Sequence, residues 1–420
     1  MKQERENQEN DVLLRHQSKV AYILGAGFSY PAGVPLLRNF LPCAFKALKE
    51  NEQDRQVALK LGRLLEKYAR IANAVQINLD NLEDVFCLVD LPSGAVGLKS
   101  SEEDEADRAL LKEVIVRTSV LGSRHLAQED WVGDQQLGST AVPRRYLFPI
   151  RDIEFRPDIP RRSLNITLYE AFLSYILHCN SQDDRQISNQ YDLDAIITLN
   201  YDLVIETALG SFLGAKAYYG DDILSHGAKL GKAWEGCVYT EIEPKNMKKV
   251  VPMLKLHGSV HWYCEPASGV QAAHGSREYK KNFKEVTKLW DPREDDRNVS
   301  FENVPLVPPT WRKQTSELSI FAAMVKQAIH HLRRAAKIVI IGYSMPESDA
   351  HFRYLLAKSL CTPEFPKIEV WDIRSEEDMK GRLERLFGKQ NLERNRIIHS
   401  NNGFRGFVKS HLYKGSATIT

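Results

Sequence analysis

Three polar side chains of complementary chemistry follow two apolar segments of the chain. Asn200 and Asp202 lie in the segment TLNYD, and His257 lies in LHGS. A carboxamide can hold a water molecule and a hydroxyl group together, and an imidazole, which titrates near neutral pH, can take up a proton from either. Asp202 could orient both groups, or it could cap a helix that begins at Leu203. These residue types predict a site that activates water or a hydroxyl group.

A second candidate site is the glycine-rich segment GAGFS. It contains Gly25, Ala26, Gly27 and Ser29. The segment follows an apolar run and is expected to open a helix, so that its backbone amides can face a phosphate group. An ordinary tight strand-to-helix turn is the alternative. A dehydrogenase fingerprint needs a small residue where this chain has Tyr30 and an acid at the next strand end, whereas Glu50 lies in a helical pattern. Hydride transfer is therefore disfavoured.

Five short apolar runs, rich in β-branched residues, predict the strands that position these groups. They are VAYILGAG (20–27), LDAIITLNYD (193–202), PMLKLHGS (252–259), AKIVIIGYS (336–344) and KIEVWDI (367–373). Near-continuous hydrophobicity is typical of strands covered on both faces, as in a parallel sheet. Helical patterns at 36–72, 164–178 and 318–335 lie between them. The chain is predicted to be an α/β protein with a Rossmann-like, doubly wound parallel sheet.

Polar residues stand at the carboxyl ends of all five predicted strands. They are Gly25, Asn200, His257, Ser344 and Asp372. In doubly wound sheets ligands bind beyond these strand ends. We therefore expect the five segments to converge on one crevice.

The expected organisation is one domain with insertions. A polar extension covers 1–17, and the domain covers 18–420 with insertions at about 41–185, 213–250 and 264–303. The first insertion is predicted to be largely helical, with an irregular acidic loop at 101–108. The other two are predicted to be surface loops or short hairpins.

Composition excludes several classes of function. Lys plus Arg (57) nearly balances Asp plus Glu (55), so no broad field favours direct binding of nucleic acid or a membrane surface. The six cysteines occur singly, without any C-x-x-C, which argues against a zinc ribbon and a disulfide framework. No apolar signal core or membrane-length run of about 18 residues is visible. We expect a cytoplasmic protein with reduced thiols and no metal.

Four of these motifs together resemble those of the sirtuins. GAGFSYPAGVPLLR (25–38) resembles the first sirtuin motif, in which a glycine-rich turn precedes a cofactor loop of the type Gly-(Ile/Val)-Pro-x-x-Arg, and Pro35 and Arg38 occupy that loop here. TLNYD is similar to the second motif, LHGS to the catalytic His-Gly pair, and GYS (Gly342 to Ser344) to the Gly-x-Ser loop for phosphate and ribose. The resemblance implies a sirtuin-type fold with a dinucleotide pocket.

One departure and three variant motifs indicate a particular branch of that family. The four zinc-binding cysteines of protein-deacylating sirtuins have no counterpart here. LNYD, LVPPTW (306–311) and GYSMPESDAHF (342–352) resemble instead the sirtuin-like proteins of bacterial antiphage defence. That resemblance implies NAD as substrate, hydrolysis of its nicotinamide–ribose bond and NAD depletion in the infected cell. It also implies a homo-oligomer and a HerA-type ATPase or short Argonaute as partner.

Residue roles follow for such a reaction. Nicotinamide leaves as a neutral molecule, so the site must stabilise an oxocarbenium-like ribose and position a water molecule. Asn200 would hold the water and a ribose hydroxyl, His257 would take up a proton, and Asp202 would orient them and add negative potential. Asp372 could accept hydrogen bonds from the adenosine ribose and select NAD over NADP, or be a solvated acid. Ser344 could bind phosphate or ribose, or be a plain turn serine.

Other assignments of the same residues stay open. NAD-dependent protein deacylation and ADP-ribosyl transfer are the alternative enzyme functions, and a non-catalytic nucleotide-sensing scaffold is the alternative outside catalysis. A metal pair of His257 and His261 is disfavoured, because Gly258 and the preceding strand make the required helix unlikely. His330 and His331 are expected to serve the C-terminal dipole of their helix.

Overall fold

Within the residues that the structure describes, nine segments form strands in the computed structural model. They are β1 (Val20–Leu24), β2 (Leu193–Thr198), β3 (Lys216–Tyr218), β4 (Val250–Lys255), β5 (Trp262–Tyr263), β6 (Lys288–Leu289), β7 (Lys337–Ile341), β8 (Lys367–Trp371) and β9 (Ile397–Ser400). The structure describes residues 19–50, 52–75, 77–94, 102–127, 168–177, 193–213, 216–218, 250–263, 288–289, 301–307, 319–346, 349–361, 365–394 and 396–413.

Seven of these strands form one sheet in the order β3-β4-β2-β1-β7-β8-β9, and every pair in it is parallel. β5 and β6 form a separate antiparallel pair. The sheet runs outward from β1 in both directions, as a doubly wound α/β fold requires. The predicted Rossmann-like parallel sheet and its five strands are confirmed.

Some helices pack on the sheet, and others form a separate hydrophobic cluster of their own. They are α1 (Ala26–Ser29), α2 (Phe40–Glu50), α3 (Arg55–Val75), α4 (Leu82–Gly94), α5 (Glu102–Ala127), α6 (Leu168–Ile176), α7 (Val204–Leu213), α8 (Ser319–Arg334), α9 (Ala350–Leu360), α10 (Glu376–Phe387), α11 (Lys389–Glu393) and α12 (Gly403–Tyr413). The helix predicted at 36–72 is interrupted, since a short 3-10 turn at Glu52–Asp54 separates α2 from α3.

The acidic segment at 101–108 was expected to be irregular, and this expectation is wrong from residue 102 onward. Residues 102–108 form the first two turns of α5. Four acids in the first turn of a helix interact favourably with the positive end of its dipole. Glu103 and Asp107 also form ion pairs with Lys67 of α3, at 2.7 and 2.8 Å. The acidic run therefore joins two helices.

Two hydrophobic clusters divide the molecule. The first contains the sheet with α6, α7, α8, α9, α10 and α12. The second contains α2 to α5 and also takes in Tyr201, Leu203, Val260 and Leu306. The helices α2 to α5 therefore pack directly on the segments that follow β2 and β4. This packing removes their apolar side chains from water, which stabilises the fold. α6 (Leu168–Ile176) packs in the sheet cluster, and the predicted end of the first insertion near residue 185 lies outside the described residues.

The remaining predictions of domain organisation fall largely outside the described residues. These include the extension at 1–17 and most of the insertions at 213–250 and 264–303, where only β3, β6 and short flanking segments are described. In the described part of the chain, no helix is both long and apolar enough to cross a membrane.

Candidate active site

Asn200 follows β2 and is held by three hydrogen bonds. Its amide nitrogen Nδ2 donates to the Gly25 carbonyl and to Ser29 Oγ, both at 2.9 Å. Its main-chain N–H donates to Thr198 Oγ1 at 3.1 Å. A carbonyl oxygen can only accept, so the bond to Gly25 decides which end of the amide is nitrogen. The Asn200 oxygen Oδ1 consequently points away from these partners, and no described residue donates to it.

Asp202 and Ser29 extend this contact into a chain. Ser29 Oγ accepts from Asn200 and donates to Asp202 Oδ1 at 3.0 Å. Asp202 Oδ1 also accepts from the Val204 N–H at 3.0 Å, at the first residue of α7. Burial raises the pKa of the Asp202 carboxyl, and the nearby Lys255 ammonium, Val204 N–H and Ser29 hydroxyl offset this rise only in part. Asp202 therefore contacts the first residue of α7 directly and the Asn200 amide only through Ser29, and its catalytic role stays a prediction.

His257 follows β4 and is fixed by the main chain that follows β2. Its Nδ1 lies 3.1 Å from the Leu199 carbonyl oxygen. Because this oxygen only accepts, Nδ1 carries hydrogen, and Nε2 of the neutral ring is the nitrogen that can accept a proton. Leu199 immediately precedes Asn200. The bond therefore holds the His257 ring of β4 next to the residue that precedes Asn200 at the end of β2.

Gly258 allows the chain to turn directly after His257. Its φ is +87°, and a Cβ there would lie 1.9 Å from the Pro305 carbonyl oxygen. The adjacent main chain is paired, since Val307 N–H donates to the His257 carbonyl at 2.9 Å. The Tyr201 hydroxyl donates to the Val307 carbonyl. The segment at 304–307 thus braces His257, while 308–311 of the LVPPTW motif lies outside the described residues.

A buried ion pair beneath these residues was not predicted. Lys255, the last residue of β4, and Glu206, in the first turn of α7, are both fully buried, and Lys255 Nζ lies 2.7 Å from Glu206 Oε1. Lys255 Nζ also donates to the Asp202 carbonyl. A single lysine within the apolar run PMLKLHGS is the sequence signal that could have identified it, because lysine is almost never fully buried without a partner.

The glycine-rich turn is occupied mainly by the protein's own backbone. The N–H groups of Gly25 and Gly27 donate to the carbonyls of Ile341 and Gly342, at 3.0 and 2.8 Å. A Cβ at Gly25 would lie 2.6 Å from the Gly342 oxygen, and one at Gly342 would lie 2.3 Å from the Phe28 nitrogen. Close approach of two turns therefore accounts for these glycines. The Ala26 N–H is the amide of this turn for which no described residue is an acceptor.

The other predicted binding residues lie at the expected strand ends or in the loop after α1. Pro35 is buried and Arg38 is exposed. Ser344 follows β7, and its carbonyl accepts from Arg382 at 3.2 Å. The groove beside Ser344 is lined by residues such as Met345 and Phe352 and reaches neither Asn200 nor His257. This groove is therefore separate from Asn200 and His257.

Asp372 follows β8 and differs from the solvated acid considered as its alternative. It is 6% exposed, and its Oδ1 accepts from the Arg374 N–H at 2.9 Å. The Arg374 guanidinium lies 3.6 Å from the same oxygen. The carboxylate therefore stabilises the turn after β8. Its predicted contact with ribose stays a prediction.

Two further histidines, His261 and His331, have structural partners. His261 is buried, its Nδ1 lies 2.8 Å from Ser259 Oγ, and burial together with the Lys255 charge holds its pKa well below its ordinary value. His331 lies in the last turn of α8, as expected, but its Nδ1 bonds Asp194 at 2.9 Å. The expectation of a dipole role alone is therefore incomplete. Among the described residues no group of three or more potential metal ligands is found.

Comparison with known proteins gives a structural likeness only. No protein-family model and no curated sequence matches the chain. A structure of Sir2 with the inhibitor EX-527, 2'-O-acetyl-ADP-ribose and a deacetylated p53 peptide is 10% identical, with a TM-score of 0.34 over 95% of each chain. Sir2Tm bound to a propionylated peptide is 9% identical, with a TM-score of 0.34 over 95% of this chain and 94% of that one. The fold assignment rests on the strand order described above.

Proposed function

We propose that this chain hydrolyses the nicotinamide–ribose bond of NAD to give nicotinamide and ADP-ribose. The observation that carries the proposal is the orientation of two groups at adjacent strand ends. Asn200 turns its nitrogen toward Gly25 and Ser29, which presents Oδ1 as an acceptor. His257 donates through Nδ1 to Leu199, which makes Nε2 the basic nitrogen. A hydrolytic site needs such a pair to hold water and receive its proton.

The proposed reaction needs no acid at the leaving group. The C–N bond breaks with its electron pair going to the pyridinium nitrogen, so nicotinamide departs neutral and positive charge develops on the ribose. Oδ1 of Asn200 accepts from a ribose hydroxyl or from the attacking water. Water forms the new C–O bond, and His257 Nε2 takes its proton. The Asp202 carboxyl adds negative potential near the developing cation when it is ionised.

The binding roles of the remaining residues are part of the same proposal. Ala26 and Arg38 are the donors of the first motif that would meet the pyrophosphate, because Gly25 and Gly27 already donate within the protein. Gly342 and Ser344 would border the phosphates and ribose, with Pro35 shaping the loop. Asp372 would accept from the adenosine ribose and disfavour a 2′-phosphate.

Product analysis tests this function directly. The purified full-length chain is incubated with NAD in ¹⁸O-labelled water. Nicotinamide and ADP-ribose are then separated, quantified and analysed by mass spectrometry. We expect both products in equal amounts, one ¹⁸O in ADP-ribose, and loss of both in His257→Ala. Formation of NADH would contradict the proposal. NAD consumption only with an acylated peptide would favour deacylation, and tight binding without cleavage would favour a scaffold.

The motif resemblance supports a proposed setting for this activity. In that setting the protein is a homo-oligomer in the cytoplasm, works with a HerA-type ATPase or a short Argonaute, and depletes NAD during phage infection. Cells expressing the chain with the product of the neighbouring gene should lose NAD after infection and release fewer phage. Unchanged NAD in infected cells, with protein that is active after purification, would contradict this setting while leaving the chemistry in place.

A further inference from the structure

The ion pair between Lys255 and Glu206 is unusual because neither side chain is exposed to water. Removing two charges from water costs several kcal/mol each, and well-packed apolar residues of similar volume are often as stabilising as the pair they replace. Stability alone therefore gives no reason for these residues.

The contacts of the ammonium lead toward Asn200. Lys255 Nζ bonds the Glu206 carboxylate and the Asp202 main-chain carbonyl. The Asp202 side chain accepts from Ser29 at 3.0 Å, and Ser29 accepts from Asn200 Nδ2 at 2.9 Å. Hydrogen bonds on the main chain and on the side chain of Asp202, joined by the covalent bonds of that residue, thus link the buried pair to the amide.

We propose that Lys255 and Glu206 are positioning residues that fix the Asp202 main chain and, through Ser29, the orientation of the Asn200 amide. This inference rests on the proposed NAD hydrolysis for its catalytic consequence. Glu206 holds the ammonium in one place, and the ammonium holds the Asp202 carbonyl. Fixing a reacting group in this way matters because displacement by about 1 Å can cost about a hundredfold in rate.

The same pair also acts on the charge of Asp202. Burial raises the pKa of this carboxyl, Lys255 of β4 lowers it, and Glu206 of α7 raises it by less than Lys255 lowers it. Ser29 and the Val204 N–H lower it further. Removing both charged residues is therefore expected to raise the pKa of Asp202. Any activity that needs the carboxylate should then be lost at a higher pH, which moves the acid limb of its pH–rate profile upward.

A double variant separates positioning from folding. Lys255→Met alone or Glu206→Leu alone removes one partner of the buried pair and keeps the other charge buried, so each variant should melt well below the parent. Lys255→Met/Glu206→Leu should melt within a few degrees of the parent. Its kcat for NAD should nevertheless fall at least about tenfold with a nearly unchanged KM, and its acid limb should move to higher pH. Lys337→Met/Glu369→Leu removes a pair of 2.9 Å whose lysine begins β7 at the opposite edge of the sheet, and it should keep the parental kcat.

Hydrogen–deuterium exchange gives a second readout that needs no turnover. Peptides covering 200–206 should exchange faster in the Lys255→Met/Glu206→Leu variant than in the parent, whereas the control variant should match the parent there. Unchanged exchange and, where the parent cleaves NAD, an unchanged kcat and pH profile would overturn the positioning role. A parent that leaves NAD intact would reject the proposed function, and exchange would still decide the role of the pair.

Discussion

The two halves of the sheet's carboxyl edge are built by different means. At β2 and β4 the strand ends are joined through side chains, in a series from Lys255 to Asp202, Ser29 and Asn200. At β1 and β7 the turns meet through main chain, with Gly342 set against Gly27 and Phe28. The first arrangement leaves an amide oxygen without a described donor. The second uses its glycines for close packing.

This contrast separates two kinds of residue. The contacts of the first kind are explained by the fold, and the orientation of the second kind is not. Local structure explains the turn glycines and also Asp372, whose carboxylate accepts from the next turn. It does not explain why two acceptors orient the Asn200 carboxamide while the residue before it, Leu199, fixes the His257 ring. The half containing β2 and β4 is therefore where catalysis is expected, and the half containing β7 and β8 is where stability should respond most to substitution.

The largest expected effect on stability comes from the glycine contact. Gly342→Ala adds a Cβ 2.3 Å from the Phe28 nitrogen at a φ of +64°. Backbone strain of about 1–2 kcal/mol and overpacking of about 1–3 kcal/mol should add to roughly 3 kcal/mol lost from the free energy of unfolding. Chemical denaturation measures it.

Gly388→Ala is the matched control, because its φ is +81° but nothing lies within 4 Å of the added Cβ. It should lose only the backbone strain, about 1–3 kcal/mol at a ψ of 144°. Equal losses in the two variants would contradict the close-packing account of Gly342.

A smaller change, of opposite sign, is expected at Asp202. The pKa of the Asp202 carboxyl is raised in the folded state, so its ionisation lowers the free energy of unfolding. This loss is absent below about pH 4, where the carboxyl is protonated in both states, and it is complete above the folded pKa. Asp202→Asn keeps an acceptor for Ser29 and Val204 and should melt higher than the parent at pH 7, while losing NAD cleavage. The gain should shrink as the pH approaches 4 in thermal melts.

Asp194 offers the reverse case at the start of β2. Burial raises the pKa of its carboxyl, but the His331 hydrogen bond and the Arg334 charge outweigh burial and lower it. Its contribution to stability is therefore present above about pH 4 and lost as the pH falls through the lowered pKa. Asp194→Asn should melt lower than the parent at pH 7. A rise in melting temperature for this variant, or a fall for Asp202→Asn, would contradict the electrostatic account.

The smallest effect is expected at Asp372. If its carboxylate binds the adenosine ribose, Asp372→Ala should raise the KM for NAD about tenfold with kcat unchanged. The ratio of kcat/KM for NAD to kcat/KM for NADP should fall. Asp378→Ala removes an exposed acid that pairs with the same Arg374, at 3.0 Å, and should leave KM unchanged. A parental KM in Asp372→Ala would assign this residue to the turn alone.

The sequence was most informative about long, buried elements. Each of the five predicted strands is a run of apolar residues in the central part of the sheet. β3 and β9 were missed because they are edge strands of three and four residues, too short for a periodic signal. The acidic start of α5 differs from the predicted loop because the helix dipole and the long-range ion pairs with Lys67 stabilise these acids, and neither is visible in local composition.

Motif spacing identified the strand ends that carry Asn200, Asp202 and His257, but not what joins them. The tautomer of His257 and the orientation of Asn200 depend on the carbonyls of Leu199 and Gly25, and backbone acceptors leave no trace in residue types. The buried pair of Lys255 and Glu206 needs two residues 49 positions apart, which no local pattern could connect. The pairing of the glycine turn with Gly342 is long-range in the same way.

The central claim is that the Asn200 amide acts in bond cleavage beyond its role in folding or binding. Single-turnover cleavage of NAD should be measured together with NAD binding and thermal melting for Asn200→Ala. Asn391→Ala is the control, because Asn391 likewise donates through Nδ2 to a main-chain carbonyl, Phe387, at 2.8 Å. We predict that Asn200→Ala stays folded and binds NAD within a few-fold of the parent, but cleaves it about a hundredfold to a thousandfold more slowly. Cleavage by Asn200→Ala at the rate of the parent and of Asn391→Ala would contradict the account.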